Sequence, residues 1–468
     1  MRRSVGRRTG SRRLAGWASA CVERVTVVGC AGALAGWLAM VGCATGAHDA
    51  TAPADDRDAV GSESGSHDAG TDTDEFPTFD AEAPDFGRHD VARPVEAGPG
   101  AQPAQLSLGH AHSCARLVDG TARCWGSNAA GELGDGSGAG RSWAAPVLGL
   151  TGVVEVAVQT DGRRSCARQA TGAITCWGDL GEIADERCHL DSPSMTVGCS
   201  LAPLAFPSPA GIVDLAVGAD TCARFADGTA GCLGAPDGPL GALVNVAEVV
   251  FTDGGACARL YDGTVRCWGD GALGQLGVES SETCNSALGT NACSTKPLVP
   301  AIDGVAQLAA GAAHVCALST TGTVRCWGAN MLGQLGYGAI DECSKFKYAC
   351  GKRPGAVRGL SGVTQIAAGG NHTCALLGDG TVQCWGDNSD GALGSATSET
   401  CGGDARNPCS TRPQSIPGMA NVAEVAVGLR HACARLADGE VRCWGWNAFG
   451  QLGDGTSESR SSPTTVKL

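Results

Sequence analysis

The run Val422 to Val427 alternates apolar and polar side chains around Glu424 and is rich in β-branched residues. That is the pattern of a strand with one buried face. Two more runs, His431 to Leu436 and Glu440 to Trp444, flank Ala437-Asp438-Gly439. An Asp-Gly turn between two such runs predicts a β-hairpin. A three-residue loop with its Gly in the left-handed conformation sets the register symmetrically about Asp438, which places Cys433 directly opposite Cys443.

The same pattern recurs seven times from residue 104 onward, most clearly from Ile366 to Gly386 with Gly391-Ala-Leu-Gly394 after it. Its cysteine pairs are Cys114/Cys124, Cys166/Cys176, Cys222/Cys232, Cys257/Cys267, Cys316/Cys326, Cys374/Cys384 and Cys433/Cys443, and the spacing within every pair is ten residues. Because turn and spacing are shared, each repeat is expected to carry one cross-strand disulfide, worth about 2–3 kcal/mol by chain entropy. Zinc is disfavoured. Structural zinc uses pairs two to four residues apart, and a hairpin pair offers only two ligands.

Composition decides which cysteine chemistry applies. The 468 residues include 71 Gly and 25 Cys, and so many cysteines imply disulfides only in an exported protein. Residues 1–43 read as an export signal: six Arg between Arg2 and Arg13, then an apolar run from Val25 to Val41 that ends at Gly42-Cys43. Small residues before a Cys resemble a lipoprotein cleavage site, with Cys43 as the lipidated residue, although Met40 stands where Leu is usual. An uncleaved anchor or an ordinary signal peptide are the alternatives. Residues 44–102 hold 14 acidic and 3 basic side chains and almost no large apolar ones. They are expected to form a disordered acidic tether. Residues 103–468 form the third and folded part. The formal charge of −14 argues against nucleic acid as a partner.

Gly311, His314, Ala317-Leu318, Gly322-Thr-Val324, Trp327-Gly-Ala-Asn330 and Gly333-Gln-Leu-Gly336 together resemble the regulator of chromosome condensation repeat. The last copy repeats it with His431, Trp444-Gly, Asn447 and Gly450-Gln-Leu-Gly453. The resemblance implies an all-β, seven-bladed β-propeller of four-stranded blades. Pro463-Thr-Thr-Val466 is expected to add to the first blade and close the ring. The third repeat is degenerate: Leu233 replaces its Trp, its Gly-Gln-Leu-Gly is lost, and its outer strand is expected to be short or missing.

Eight further cysteines, Cys188/Cys199, Cys284/Cys293, Cys343/Cys350 and Cys401/Cys409, fall in the long segments after the Trp-Gly strand of repeats 2, 4, 5 and 6. They read as staples on loops that share one rim. Stapled loops are either a response to a harsh compartment or a preorganised surface. Their candidate partner-binding residues are Arg187, His189, Lys345, Lys347, Tyr348, Asp404 and Arg406.

His112, His314, His372 and His431 recur at one repeat position, where the other repeats have Arg164, Asp220 and Gly255. Equivalent positions diverge around a propeller axis, so the expected role is a hydrogen bond to a neighbouring turn and not metal binding. The repeated Trp residues read as packing. No nucleophile elbow or acid–base pair stands out, so no cofactor, metal or catalysis is expected. The leading reading is a surface-tethered or secreted, monomeric binding module for a protein or cell-envelope partner, touching membrane only through its N-terminus. The alternatives are guanine-nucleotide exchange, which the resemblance suggests and export disfavours, enzyme inhibition, a polysaccharide-acting enzyme built on carboxylates near the axis, and a structural spacer.

Overall fold

The computed structural model describes residues 102–160, 162–181, 184, 186–189, 196–233, 238–286, 289–338, 341–402 and 406–468. The export segment, Cys43 and the acidic tether up to Ala101 lie outside the described residues.

Each repeat folds into its own antiparallel sheet, and the seven sheets are the blades of a β-propeller. In the last blade the strands run outward in chain order: Val422–Val427, His431–Leu436, Val441–Gly445 and Arg460–Thr465. The first blade has the same four strands. Blades two, four, five and six gain a short fifth strand from the stapled segment, and the third keeps three, Ile212–Val217, Thr221–Phe225 and Ala230–Cys232.

The hairpin register is the one the Asp-Gly turn dictates. Cys433 faces Cys443, and the same pairing repeats in each blade. Disulfides join all seven pairs: Cys114–Cys124, Cys166–Cys176, Cys222–Cys232, Cys257–Cys267, Cys316–Cys326, Cys374–Cys384 and Cys433–Cys443, with Cα atoms 3.8 to 4.1 Å apart. This is the narrow kind of antiparallel pair, in which side chains sit closest.

These bridges are core and not surface clamps. Cys176, Cys267 and Cys326 are fully buried, like their partners Cys166, Cys257 and Cys316, and each pair packs in the apolar layer between its blade and the next. Cys232 is the exception. It is only half-buried, because the third blade has no fourth strand to cover it.

On the outer side of the third strand the ladder is irregular. Cys176 pairs outward with Leu204, Cys267 with Leu298 and Cys326 with Gly355, and just past each cysteine the register shifts before the Gly two residues on. Cys124, Cys384 and Cys443 show the same shift. The cause is the Trp-Gly step. Gly178, for example, has a φ of +86°, which breaks the extended ladder.

The core lies between blades. Cys374, Val382, Leu393 and Ile416 of the sixth blade pack with Val425 and Trp444 of the seventh. Three polar devices recur at the seams. First, the Trp indole donates to a carbonyl in the Gly-x-Leu-Gly turn of the preceding blade: Trp125 to Gln451 (2.8 Å), Trp177 to Glu132 (2.8 Å), Trp327 to Gln275 (3.0 Å), Trp385 to Gln334 (2.9 Å) and Trp444 to Ala392 (2.9 Å). The turn must lie flat on the indole. A Cβ on Gly453, whose φ is +67°, would stand 2.9 Å from the Trp125 nitrogen, so only Gly fits.

Second, a carboxylate or amide on six of the seven inner strands clasps the next inner strand. Gln105 clasps Val156, Glu155 clasps Leu215, Glu248 clasps Leu308, Gln307 clasps Ile366, Gln365 clasps Val425, and Glu424 clasps Leu106. Where the clasp is Glu, an Arg sits opposite it in the same blade, as in Arg168–Glu155, Arg259–Glu248 and Arg435–Glu424 at 2.8 to 3.0 Å. Where it is Gln307 or Gln365, the residue opposite is Leu318 or Leu376. Gln105 departs from this pattern, since Arg116 stands opposite it and bonds the Ala104 carbonyl instead.

Third, the recurring His bonds across the seam. Its Nε2 meets a hydroxyl of the next blade: His112 with Ser165 (2.9 Å), His314 with Thr373 (2.8 Å) and His431 with Ser113 (2.8 Å). The acceptor sits on a strand and not in a turn as the sequence suggested.

Ring closure also differs from expectation. Arg460–Thr465 pairs with Val441–Gly445 as the outer strand of the seventh blade and does not join the first. The trailing residues still zip the seam, since the Ala144 amide donates to the Lys467 carbonyl (3.0 Å). Every blade is therefore one uninterrupted stretch of chain.

Candidate functional site

In each blade the turn between the first two strands and the connection after the third strand lie at the same end, because His431 faces Gly445 in the hairpin register. The Asp-Gly turns occupy the opposite end. All four stapled segments therefore emerge from one rim. The second cysteine of each staple sits at that rim, opposite the residue that follows Trp-Gly: Cys199 faces Asp179, Cys293 faces Asp270, Cys350 faces Ala329 and Cys409 faces Asp387. The short strands Glu186–His189, Thr283–Ser286, Asp341–Cys343 and Glu399–Cys401 pair beyond this point, so each hairpin projects past the blade end. Staples join Cys188–Cys199, Cys284–Cys293, Cys343–Cys350 and Cys401–Cys409, with Cα atoms 5.8 to 5.9 Å apart.

The candidate binding residues separate at this level. Lys345 and Lys347 are exposed at the tip of the fifth-blade hairpin, and Tyr348 is half-buried in the strand pair next to that turn. Phe346, between the two lysines, is 52% exposed, and the Lys345 ammonium stands 5.0 Å from its ring centre. The Lys345 side chain packs on Gly289 of the neighbouring fourth-blade hairpin. Arg406 is exposed at the turn end of the sixth-blade hairpin. Arg187 and His189 lie on the strand Glu186–His189, but their side chains, like the whole of Asp404, lie outside the described residues.

Blades seven and one carry no hairpin, and here the sequence reading missed a second feature. Trp446 occupies the position that faces a staple cysteine in four other blades. Its amide donates to the Arg430 carbonyl, and its ring makes edge contacts with Phe449 (5.4 Å) and His110 (6.0 Å). These rings border a cavity of about 250 Å³ that reaches Glu132 and Arg163. A signal existed: Trp446 is the one aromatic to follow a Trp-Gly in the seven repeats.

The Glu132 side chain is 1% exposed. Its carboxylate accepts the Ala130 amide (2.8 Å) and the Ser127 hydroxyl (3.3 Å), with Arg163 Nη1 at 3.6 Å. Burial pushes its pKa above the usual carboxylate value despite these partners.

A second cavity, about 290 Å³, lies among the inner strands on the axis. Glu424 and Asp253 are the carboxylates that line it, and Glu424 is engaged by Arg435 and by the Leu106 amide. Near it on the inner strands, Glu248 serves its clasp and Arg259, while Glu155 lies against both Arg168 and Asp214, and Asp214 also faces Arg224 at 3.5 Å. Burial first, and then the neighbouring Asp214, raise Glu155 to about 7.

The regulator of chromosome condensation (RCC1) repeat matches residues 104–132, 305–334, 363–392 and 422–451, and a second description of that repeat matches 321–376, 379–435 and 438–468. The Arabidopsis thaliana ultraviolet-B receptor UVR8 is 25% identical over 376 residues, 78% of this chain and 69% of that protein. The human E3 ubiquitin-protein ligase HERC2 is 29% identical over 273 residues, 47% of this chain but 5% of its own length. Among solved structures, yeast RCC1 (Prp20) bound to Kap60 is 19% identical with a TM-score of 0.46, covering 78% of this chain and 75% of that one.

Proposed function

The chain belongs to the regulator of chromosome condensation repeat family, and from that premise we propose that it is a binding module that recognises a protein partner through the hairpin-bearing rim of its propeller. The observation that carries this reading is the placement of the four staples. The stability of a blade does not require a hairpin that projects beyond it, and blades one and seven do without. Yet four hairpins rise from one end, each pinned at its base, and one of them presents Phe346 between two lysines. Preorganised loops lose little entropy on binding, and an exposed aromatic beside cations is a typical anchor.

Binding is favoured over catalysis because the buried carboxylates near the axis already serve the seams. We extend the proposal to the N-terminus. Residues 1–43 direct export, Cys43 carries lipid, and residues 44–102 act as the tether of a surface-held or secreted protein. Eleven disulfides suit that compartment.

The test is capture with the full chain against a chain whose four hairpins are cut to two-residue turns, both checked for an unchanged thermal midpoint. A protein retained by the first bait and lost from the second supports the rim. Equal retention by both moves the site to the opposite end or the axis, and no retained protein removes the reading. Metabolic labelling with radioactive palmitate tests the anchor: label should enter the native chain and be absent from Cys43→Ser.

A further inference from the structure

We propose that the cavity bordered by Trp446 and Phe449 is a socket for one lysine side chain of the protein partner, with its methylene stem along the aromatic rings and its ammonium at the Glu132 carboxylate. The inference rests on the rim reading above and gives that rim a specific anchor point.

Four observations carry it. The first is place. The socket opens on the hairpin rim, at the blades where no hairpin stands, so the staples leave it uncovered. The second is size. About 250 Å³ holds one long side chain and falls below the usual volume of a site for a free organic ligand.

The third is the walls. Trp446 and Phe449 are set edge to face, and Phe449 is 40% exposed. One cation already uses Trp446: the Arg430 guanidinium lies 5.4 Å from the ring and is held by Asp390 at 2.5 Å. With that guanidinium neutralised by Asp390, the rings leave the cavity an apolar wall suited to a methylene stem.

The fourth is the floor. In blades four, five and seven the residue at the Glu132 position is Gln275, Gln334 or Gln451. Each caps the amide two residues before it, at 2.7 to 3.0 Å, as Glu132 caps Ala130. The fold is therefore satisfied by a neutral amide, and the charge of Glu132 is additional. A buried carboxylate offers about four lone-pair sites. Its own amide, Ala130 and Ser127 use three of them, and the Arg163 guanidinium faces it as an ion pair at 3.6 Å. An incoming ammonium would complete the set. Lysine suits both parts of the socket, since its stem is apolar and its tip is a point charge with three donors.

The experiment uses the full chain and three blocked amino acids: Nα-acetyl-lysine amide, its neutral isostere Nα-acetyl-norleucine amide, and Nα-acetyl-glutamate amide, titrated by ligand-observed NMR. Lysine amide should bind on the order of millimolar, as expected of a single side chain. Norleucine and glutamate should bind at least tenfold more weakly. Glu132→Gln should fold normally, because three sister blades already carry Gln there, and should lose lysine binding at least tenfold. Phe449→Ala should lose several-fold. Norleucine binding equal to lysine would make the cavity an apolar slot, and stronger glutamate binding would make it an arginine-lined anion site. Either result, an unaffected Glu132→Gln, or no binding at all, overturns the proposal. None of these touches hairpin-dependent capture, so the socket can fail while the rim reading stands. Loss of capture with lysine binding intact would show the reverse.

Discussion

At the scale of single residues, the His positions make the most exacting statement. Three of the four meet a hydroxyl in the next blade. His372 does not: its Nε2 is buried without a partner, and Ala432 stands where its sisters have Ser or Thr. Ala432→Ser should supply that hydroxyl, with the Ala392 carbonyl as its own acceptor. It should stabilise the protein by about 1 kcal/mol, read as a higher urea midpoint. An unchanged or lower midpoint would mean the site cannot seat the oxygen. The same residues set the response to acid. Burial lowers His112, His314 and His431 to about 3 and His372 to about 4. Between those values and 6.5 the unfolded chain takes up protons that the folded chain refuses, so stability should fall as pH drops from 6.5 toward 4. Glu155 acts in the opposite sense. Its pKa is raised to about 7, so the folded chain holds that proton more tightly and the contribution weakens as pH rises from 4.5 to 7. Urea midpoints at pH 4, 5.5 and 8 should show the histidine slope dominating, with the lowest midpoint at pH 4, and a flat or inverted profile would overturn that ranking. None of these partnerships was visible in the sequence. The His period was, but which atom faces it across a seam depends on how two blades pack.

At the scale of elements, the hairpin is where sequence and structure agree most closely. The Asp-Gly turn, a spacing of ten and a two-residue side-chain period leave one register available, and Cys433 opposite Cys443 follows from local geometry alone. The shift on the outer side of Cys176, Cys267 and Cys326 does not, since it shows only when a fourth strand pairs there. The last strand was harder. Pro463-Thr-Thr-Val466 has a strand pattern that suits the outer edge of either blade at the seam, and only the inter-strand pairing decides for the seventh. The two classes of disulfide should behave differently. Replacing Cys374 and Cys384 together with Ala removes a link inside a blade core and should cost about 2–3 kcal/mol in the urea midpoint. Replacing Cys401 and Cys409 frees a projecting hairpin. It should leave the midpoint nearly unchanged while weakening partner capture. Equal stability losses from both would show that the hairpins are structural.

At the scale of the whole molecule, the seven seams are unequal. Between blades three and four two of the devices are missing. Asp214 is one methylene shorter than Glu and turns to Arg224, and Asp220 stands at the His position with Ala256 where the acceptor hydroxyl would be, while the turn Gly238-Pro-Leu-Gly241 is kept and its Leu240 packs with Trp268. Hydrogen exchange should therefore find the Val249 amide less protected than its clasped counterparts Leu308, Ile366 and Val425. Asp214→Glu should slow it, and equal protection at all seams would refute the ranking. The degeneracy of the third repeat was legible from Leu233. The seam it weakens was not, because the clasp joins residues some 60 positions apart.

The disulfides also have a temporal side. In order along the chain, every described cysteine bonds to the next one, from Cys114–Cys124 to Cys433–Cys443, and no bridge encloses another. A chain that emerges vectorially and is oxidised as it appears meets each correct partner before any wrong one is within reach. Native pairing should then need an oxidase but no shuffling by a disulfide isomerase.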